Sequence, residues 1–106
     1  MAKYLMESSF SAEGLRGLQK EGGSFRREVA ERTLSSVGGH LESFYFAFGD
    51  HDVVIIFEAP DNVTASALSI AVSASGLIRT KVTPLVTVEE VDQAVKKSVA
   101  FRPPGQ

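Results

Sequence analysis

Asp50-His51-Asp52 places three polar side chains between two apolar runs, within the segment FAFGDHDVVII from Phe46 to Ile56. A neutral imidazole beside a carboxylate has the components of a general base, because histidine titrates near neutral pH. His51 and Asp52 are therefore candidate catalytic residues. A turn also explains the triplet, since aspartate bonds to its own backbone in turns and the preceding glycine permits positive φ.

A metal centre at this triplet would need a second ring-bearing ligand in most zinc or iron sites. The other histidine, His40, begins the same predicted strand. It lies about 30 Å from His51 at about 3.3 Å for each strand residue. One copy of the chain cannot bring the two together, so we predict no metal site, and no residue pattern indicates a cofactor.

Two arginines are candidate ligand-binding residues. Arg26 follows the Gly22-Gly23-Ser24 break, and backbone amides at a helix start attract anions that a guanidinium also binds. The glycine spacing is not that of a phosphate-binding loop. Arg79 lies in the last predicted strand, where it could hold an anion or form a salt bridge with Glu7 or Glu58.

Periodicity and capping residues predict the elements that position these side chains. Phe25, Val29, Thr33 and Val37 recur every four residues and predict the buried stripe of one helix. The predicted elements are a strand at Lys3 to Ser9, a short helix capped by Ser11, a helix from a Ser24 cap to about Val37, strands at His40 to Phe48 and Val53 to Ala59, a helix at Val63 to Ser75 capped by Asp61 or Asn62, a strand at Leu77 to Val86 with an edge-favouring Pro84, and a helix at Val88 to Ser98 with a Thr87–Glu90 capping box.

This β-α-β-β-α-β order with an added C-terminal helix predicts an α+β, ferredoxin-like fold, with an antiparallel sheet and helices on one face. We expect one domain over residues 1–100 and an extended tail over 101–106, where Pro103-Pro104-Gly105 resembles a linker.

Pairing Gly49 with Asp52 across the predicted hairpin sets the register of its two strands. Phe48 then faces Val53, and two further phenylalanines, at 46 and 44, face Ile55 and Phe57 on a helix-covered side. The second side carries Leu41, Tyr45, Ala47, Val54 and Ile56. A slip of one residue would exchange the faces of one strand against the other.

The second face is apolar at its centre, where a half-buried antiparallel sheet is normally polar. An exposed apolar patch usually marks an interface, so we predict a homodimer or higher homo-oligomer through this face. The alternative is a monomer in which the C-terminal helix covers the patch. Tyr45 lies within the patch and is a third candidate ligand-binding residue, although interface packing suits it better than catalysis.

The composition suits a single domain, with 106 residues of which 43% are hydrophobic. The 11 basic and 13 acidic residues nearly cancel, which argues against a nucleic-acid partner. The chain has no cysteine, which excludes disulfides and thiolate chemistry. No apolar run suits a membrane span or a signal peptide, so we expect a cytoplasmic protein without a membrane partner.

Longer stretches of the sequence also form a recognisable pattern. They are GLRGLQKEGGSFR from Gly14 to Arg26, Gly38-Gly39, SFYFAFGDHDVVIIFEAPDN, Ile78-Arg79-Thr80-Lys81 and the ending VKKSVAFRPPG. By these stretches the chain resembles the GYD-domain family of small bacterial and archaeal proteins, named for a Gly-Tyr-Asp signature. The resemblance implies a ferredoxin-like fold of the dimeric α/β-barrel type and no defined biochemical role. His51 stands where the signature tyrosine is usual.

Three hypotheses about function are consistent with the sequence. The first is an oligomeric domain that binds a small molecule or anion, between sheet and helices or between subunits, through Arg26, Tyr45 and Arg79. The second is a cofactor-independent isomerase or monooxygenase of the dimeric α/β-barrel type, with His51 and Asp52 as its base. The third is a structural assembly protein. The sequence does not decide whether the chain is an enzyme.

Overall fold

The computed structural model describes the whole chain, Met1–Gln106, as one four-stranded sheet with four helices. The strand order is β2-β3-β1-β4 and every neighbouring pair is antiparallel. The predicted α+β class is confirmed, and the ferredoxin-like arrangement is compatible with this order. The elements are β1 (Ala2–Phe10), α1 (Ala12–Glu21), α2 (Gly23–Ser35), β2 (His40–Phe46), β3 (Val53–Ala59), α3 (Asn62–Ala74), β4 (Ile78–Leu85) and α4 (Val88–Ala94).

Side-chain caps begin three of the four helices, as the sequence predicts. The Ser11 hydroxyl accepts from the Gly14 N–H at 3.0 Å, and Asp61 caps α3. Thr87 and Glu90 form the capping box of α4. The predicted Ser24 cap is wrong, because α2 begins at Gly23 after a glycine with φ of +84°, and no side chain caps it.

The predicted buried stripe of α2 is also wrong at both ends. Phe25 and Val37 are exposed, whereas Leu34 is the buried residue of this helix. A strict spacing of four moves about 40° around a 3.6-residue helix at each step, so the four positions spread over about 120°. The face toward the sheet therefore follows a mixed spacing of three and four, through Val29, Ala30 and Thr33.

The core lies between the helices and one face of the sheet. Phe57 and Tyr4 are fully buried, and their rings stack with centroids 5.3 Å apart. The Tyr4 hydroxyl donates to Asn62 Oδ1 at 2.7 Å, which satisfies the polar end of a buried ring. The remaining buried apolar side chains are Met6, Leu34, Val53, Ile55, Ala59, Ala65 and Leu68.

The β2–β3 hairpin differs from the prediction by two residues. Phe46 pairs with Val53 and Phe44 with Ile55, and β2 ends at Phe46, so Phe48 is a fully exposed loop residue. The Ala47 N–H donates to the Asp52 carbonyl at 2.8 Å and closes a longer loop than the predicted four-residue turn. A shift of two keeps each side chain on its predicted face.

One residue of the hairpin does change face. The register shifts between Leu41 and Ser43, so that Leu41 pairs with Phe57 and packs against the core. The sequence had placed Leu41 on the second face, and this bulge is the reason for the error, because an extra residue reverses the alternation beyond it.

The chain beyond β4 extends away from the sheet and its helices. We call Val86–Gln106 the C-terminal arm, which includes α4, and every residue from Val88 onward is exposed. The radius of gyration is 17.0 Å, against about 13 Å for a compact domain of this length. The monomeric alternative required the C-terminal helix to cover the second sheet face. The arm does not cover that face in this chain. No helix has the length and apolar character needed to cross a membrane.

Candidate functional site

The two long helices leave a gap between them above the centre of the sheet. Helix α2 packs over β2, whereas α3 packs over β4 and β3. The gap is a cavity of about 110 Å³. Twelve of its 15 lining residues are hydrophobic, including Met6, Phe44, Ile55, Leu68 and Val72. The cavity therefore favours an apolar ligand body.

Three lining residues carry polar groups. The Thr33 hydroxyl donates to the Val29 carbonyl of its own helix at 2.8 Å. Ser8 is 4% exposed and is the only buried polar residue of the chain. Arg26 is the single charged residue of the lining. A negative charge on a bound ligand would therefore pair with the Arg26 guanidinium.

The start of α2 positions Arg26 at the cavity. Gly23 lies so close to Phe46 that an added Cβ would be 3.0 Å from the ring. The Phe46 ring in turn meets Phe44, a residue of the cavity wall, edge to face at 5.3 Å. Helix α2 thus begins against the end of β2, and its first turn brings Arg26 to the cavity.

The Arg26 guanidinium is incompletely partnered. Its Nε is 3.2 Å from Glu21 Oε2, within ion-pair range. The same Nε is buried and has no partner in hydrogen-bonding geometry, so the contact is a Coulombic one that leaves the N–H unsatisfied. A buried donor without an acceptor costs about 1–3 kcal/mol. A second acceptor at this position would therefore stabilise the site.

The side chains of the triplet do not form one site, and His51 lies at the opposite face of the sheet from the cavity. His51 Nε2 is 3.4 Å from Glu7 Oε2, and Glu7 alternates with the core-facing Met6 and Ser8. His51 therefore faces away from the cavity. The histidine pairs with a carboxylate that the sequence had assigned as a possible partner of Arg79.

Asp52 closes the end of the sheet. Its Oδ2 accepts from the Phe10 N–H at 2.8 Å, and its own N–H donates to the Ser8 carbonyl at 2.8 Å. Asp50 is exposed in the loop. The triplet lies in the loop between β2 and β3, but the Asp52 carboxylate bonds to β1 rather than to its own turn, and Gly49 does not adopt a positive φ. The catalytic role of His51 and Asp52 stays a prediction.

The two other predicted ligand residues lie on the opposite face of the sheet from Arg26. Arg79 pairs with Ser9 on the outward face of the edge strand β4, and Tyr45 is 69% exposed on the same face. His40 is exposed at the far end of β2. One chain thus separates Arg26 from Tyr45 and Arg79 by the thickness of the sheet. No cluster of three or more His, Asp or Glu side chains is arranged to hold a metal ion.

The outward face also carries an ion pair near the start of β1. Lys3 Nζ donates to Glu42 Oε1 at 2.6 Å. The Glu42 carboxylate raises the pKa of Lys3 through this hydrogen bond and its charge, with a smaller contribution from Glu58. Both groups remain partly exposed, so the pair adds little stability.

Sequence reasoning placed Phe44, Ile55 and Phe57 on the helix-covered face, but Arg26 was the only lining residue it identified as a ligand-binding candidate. Ser8 carries the one available signal, because it follows Tyr4 and Met6 at the core-facing spacing of two. The contributions of Leu68 and Val72 from α3 depend on how far apart α2 and α3 lie, which no local pattern encodes.

The sequence matches a known protein family over most of its length. The GYD domain model matches residues 4–95, from the buried Tyr4 to the cap of α4. The chain belongs to the GYD family. Comparison with curated proteins and with solved structures gave no match. The family assignment confirms the resemblance seen in the sequence and leaves the activity to be argued from the site.

Proposed function

We propose that this GYD domain binds a small molecule with an apolar body and an anionic head group in the cavity under α2 and α3. The observation that supports the proposal is the buried Nε of Arg26, which has no hydrogen-bond acceptor, beside an apolar cavity. Guanidinium groups bind carboxylates through paired, charge-assisted hydrogen bonds. Apolar pockets with one placed polar group are typical of small-molecule sites.

The cavity volume limits the size of the ligand. An engineered cavity of about 150 Å³ holds benzene, and sites for drug-sized molecules start at about 300 Å³. At 110 Å³ the cavity here is smaller than that engineered one, so it suits an apolar body no larger than one small ring, with the carboxylate at the cavity mouth beside the partly exposed Arg26 side chain. The ligand carboxylate would supply the acceptor that Glu21 does not, at the cost of a weak, partly exposed ion pair.

Matched ligands and matched variants test the proposal. We expect benzoate to raise the unfolding temperature and to bind with a calorimetric Kd at least 10-fold lower than that of benzyl alcohol. Arg26→Gln should remove this preference. Arg27→Gln is the control, because Arg27 is the adjacent residue, is 57% exposed and pairs only with Glu31 at 3.8 Å.

Equal affinity for benzoate and benzyl alcohol would contradict an anionic head group. Loss of benzoate binding in Arg27→Gln to the same extent as in Arg26→Gln would remove the assignment of the site. Absence of any ligand-induced shift with short aromatic or branched acids would overturn the proposal as a whole.

The same proposal includes a homodimer joined through the second sheet face. In support, Leu5, Val54 and Ile56 form an apolar centre on that face, beside the exposed Tyr45. Antiparallel sheets that face water normally carry polar side chains there. Light scattering at tens of micromolar protein is the test, and a monomeric mass would refute this part.

A further inference from the structure

The C-terminal arm exposes an unusual amount of apolar surface. Val88, Val91 and Val95 lie three and four residues apart and share one side of α4 and its end. Val99 and Phe101 continue the apolar character, and every one of these side chains is exposed. Contiguous apolar surface on a soluble chain marks an interaction site.

We propose that the arm docks on a second copy of this chain, along the outward face and edge of β4, and that the two copies exchange arms reciprocally. The proposal depends on the homodimer proposed above, but not on the ligand cavity. Each chain carries one arm and one β4, so two copies supply one docking face for each arm. A two-fold axis then makes both contacts equivalent.

The charges of helix α4 and of the outward side of β4 are complementary. Arg79 and Lys81 point outward from β4 and form no salt bridge within the chain. Helix α4 carries Glu89 and Asp92, which also have no ionic partner. Glu90 is already engaged, because its carboxylate accepts from the Thr87 N–H at 2.9 Å. Complementary charges favour correct association and its register.

The direction of the strands favours this pairing between copies. Leu85 ends β4 where the arm begins, about 20 Å along the strand from Arg79. A two-fold axis that lies between the sheets and crosses the strands reverses the strand direction. The arm of one copy would then begin opposite the end of β4 that holds Arg79 of the partner subunit. Glu89 follows Leu85 by four residues, within reach of that end.

The size of the arm suits a stable dimer. The arm supplies about 20 residues, and a standard interface uses about 20–30 residues on each side. Reciprocal docking adds the outward residues of β4 to each side. The elongated shape of the isolated chain, with extents of 57 × 33 × 22 Å, is then the shape of half an assembly.

Substitutions in the full chain test the docking without disturbing the domain. We expect Val91→Asp with Val95→Asp to raise the dimer Kd at least 100-fold, measured by light scattering and analytical ultracentrifugation. Val63→Asp is the matched control, since Val63 is 79% exposed on α3, and its Kd should remain unchanged. Circular dichroism and benzoate calorimetry should be the same for all three chains, because each cavity is built within one chain.

A charge exchange tests the predicted contact. Arg79→Glu with Lys81→Glu should raise the dimer Kd about 10-fold, and so should Glu89→Lys with Asp92→Lys. All four substitutions together should return the Kd to within about 3-fold of the original value, since each arm again meets the opposite charge.

A wild-type chain that is monomeric at 100 μM would overturn the docking. A wild-type dimer that Val91→Asp with Val95→Asp leaves intact would do so as well, and would assign dimerisation to the sheet face alone. Failure of the combined charge exchange to restore the Kd would contradict contact between the arm and β4. None of these results depends on whether benzoate binds.

Discussion

Two aromatic residues on adjacent strands show how the faces of this sheet differ. Phe57 of β3 is fully buried and stacks on Tyr4, whereas Tyr45 of β2 is 69% exposed among apolar neighbours. Strand alternation directs both side chains, and the helices cover only one face. The covered face has a cavity and a cationic residue, Arg26. The open face has a continuous surface with its charged groups at the margin.

The contrast separates two functions that the sequence suggested for one site. The ligand proposed for the cavity between α2 and α3 would be held by residues of one chain. The open face gains its enclosure only from another molecule. Substitution of Arg26 should therefore change the affinity for a small ligand. Substitution of Tyr45 or Arg79 should change the affinity between copies of the chain.

The largest expected difference in stability is between truncating the aromatic residue of the covered face and truncating that of the open face. We expect Phe57→Ala to lower the free energy of unfolding by about 3–5 kcal/mol, because it removes a fully buried ring and leaves a void. Tyr45→Ala should change it by less than about 0.5 kcal/mol at the lowest protein concentration that circular dichroism can follow. Urea denaturation followed by circular dichroism measures both.

Protein concentration sharpens this first comparison. If the open face joins two copies, the cost of Tyr45→Ala should grow at high micromolar concentration, whereas the cost of Phe57→Ala should stay constant. A large effect of Tyr45→Ala that is independent of concentration would contradict the description of the open face as uncovered in one chain.

The two aspartates of the β2–β3 loop predict a smaller difference. Asp52→Ala removes the carboxylate that accepts from the Phe10 N–H at 2.8 Å. We expect a loss of about 1.5–3 kcal/mol, the usual value for a hydrogen bond to a charged group. Asp50→Ala should stay within about 0.5 kcal/mol, because its side chain is exposed. Similar losses from both substitutions in urea denaturation would contradict a structural role confined to Asp52.

The helix caps extend the comparison to pH. The Thr64 N–H and hydroxyl both donate to Asp61 Oδ1 at 2.8 Å, and these bonds lower the pKa of Asp61 below its ordinary 3.8. A lowered folded-state pKa stabilises the protein above the unfolded value, and this stabilisation is lost as the pH falls through the folded pKa. We expect Asp61→Asn to flatten the fall in unfolding temperature below about pH 4.

Glu90→Gln is the control for this pH effect. Hydrogen bonding from Thr87 lowers the pKa of Glu90 as well, but α4 packs against no core in a single chain. At protein concentrations where the chains are separate, Glu90→Gln should leave the acid slope unchanged. An equal flattening by both substitutions would show that α4 contributes to the stability of the domain.

The sequence predicted those features of the fold that depend on local chemistry. Ser11, Asp61 and the Thr87–Glu90 pair begin helices because their side chains satisfy free backbone N–H groups within three residues. The predicted face of Phe44 and Phe46 is correct despite the wrong hairpin register, because a shift of two residues preserves the alternation of side chains. The predicted face of Leu41 is wrong, since no local signal marks the bulge that reverses the alternation.

The candidate site was less predictable because it depends on distances between elements. Arg26 was identified from a helix start, yet its importance arises from the gap between α2 and α3. The clustering of Asp50, His51 and Asp52 in the sequence favoured a common chemistry. The backbone instead directs His51 and the Asp52 carboxylate to different partners, a separation that adjacent positions in a strand or turn commonly produce.

The smallest expected effect is that of His51→Ala, and it tests the separation of the two faces most directly. His51 is partly exposed and pairs with Glu7 at 3.4 Å on the side of the sheet away from the cavity. We expect the free energy of unfolding to change by less than about 0.5 kcal/mol and the benzoate Kd to stay within about 2-fold. Glu7→Gln removes the carboxylate partner of His51 and should change the free energy of unfolding and the benzoate Kd equally little. A 10-fold loss of benzoate affinity in His51→Ala would show that ligand binding and the open face are coupled through the sheet.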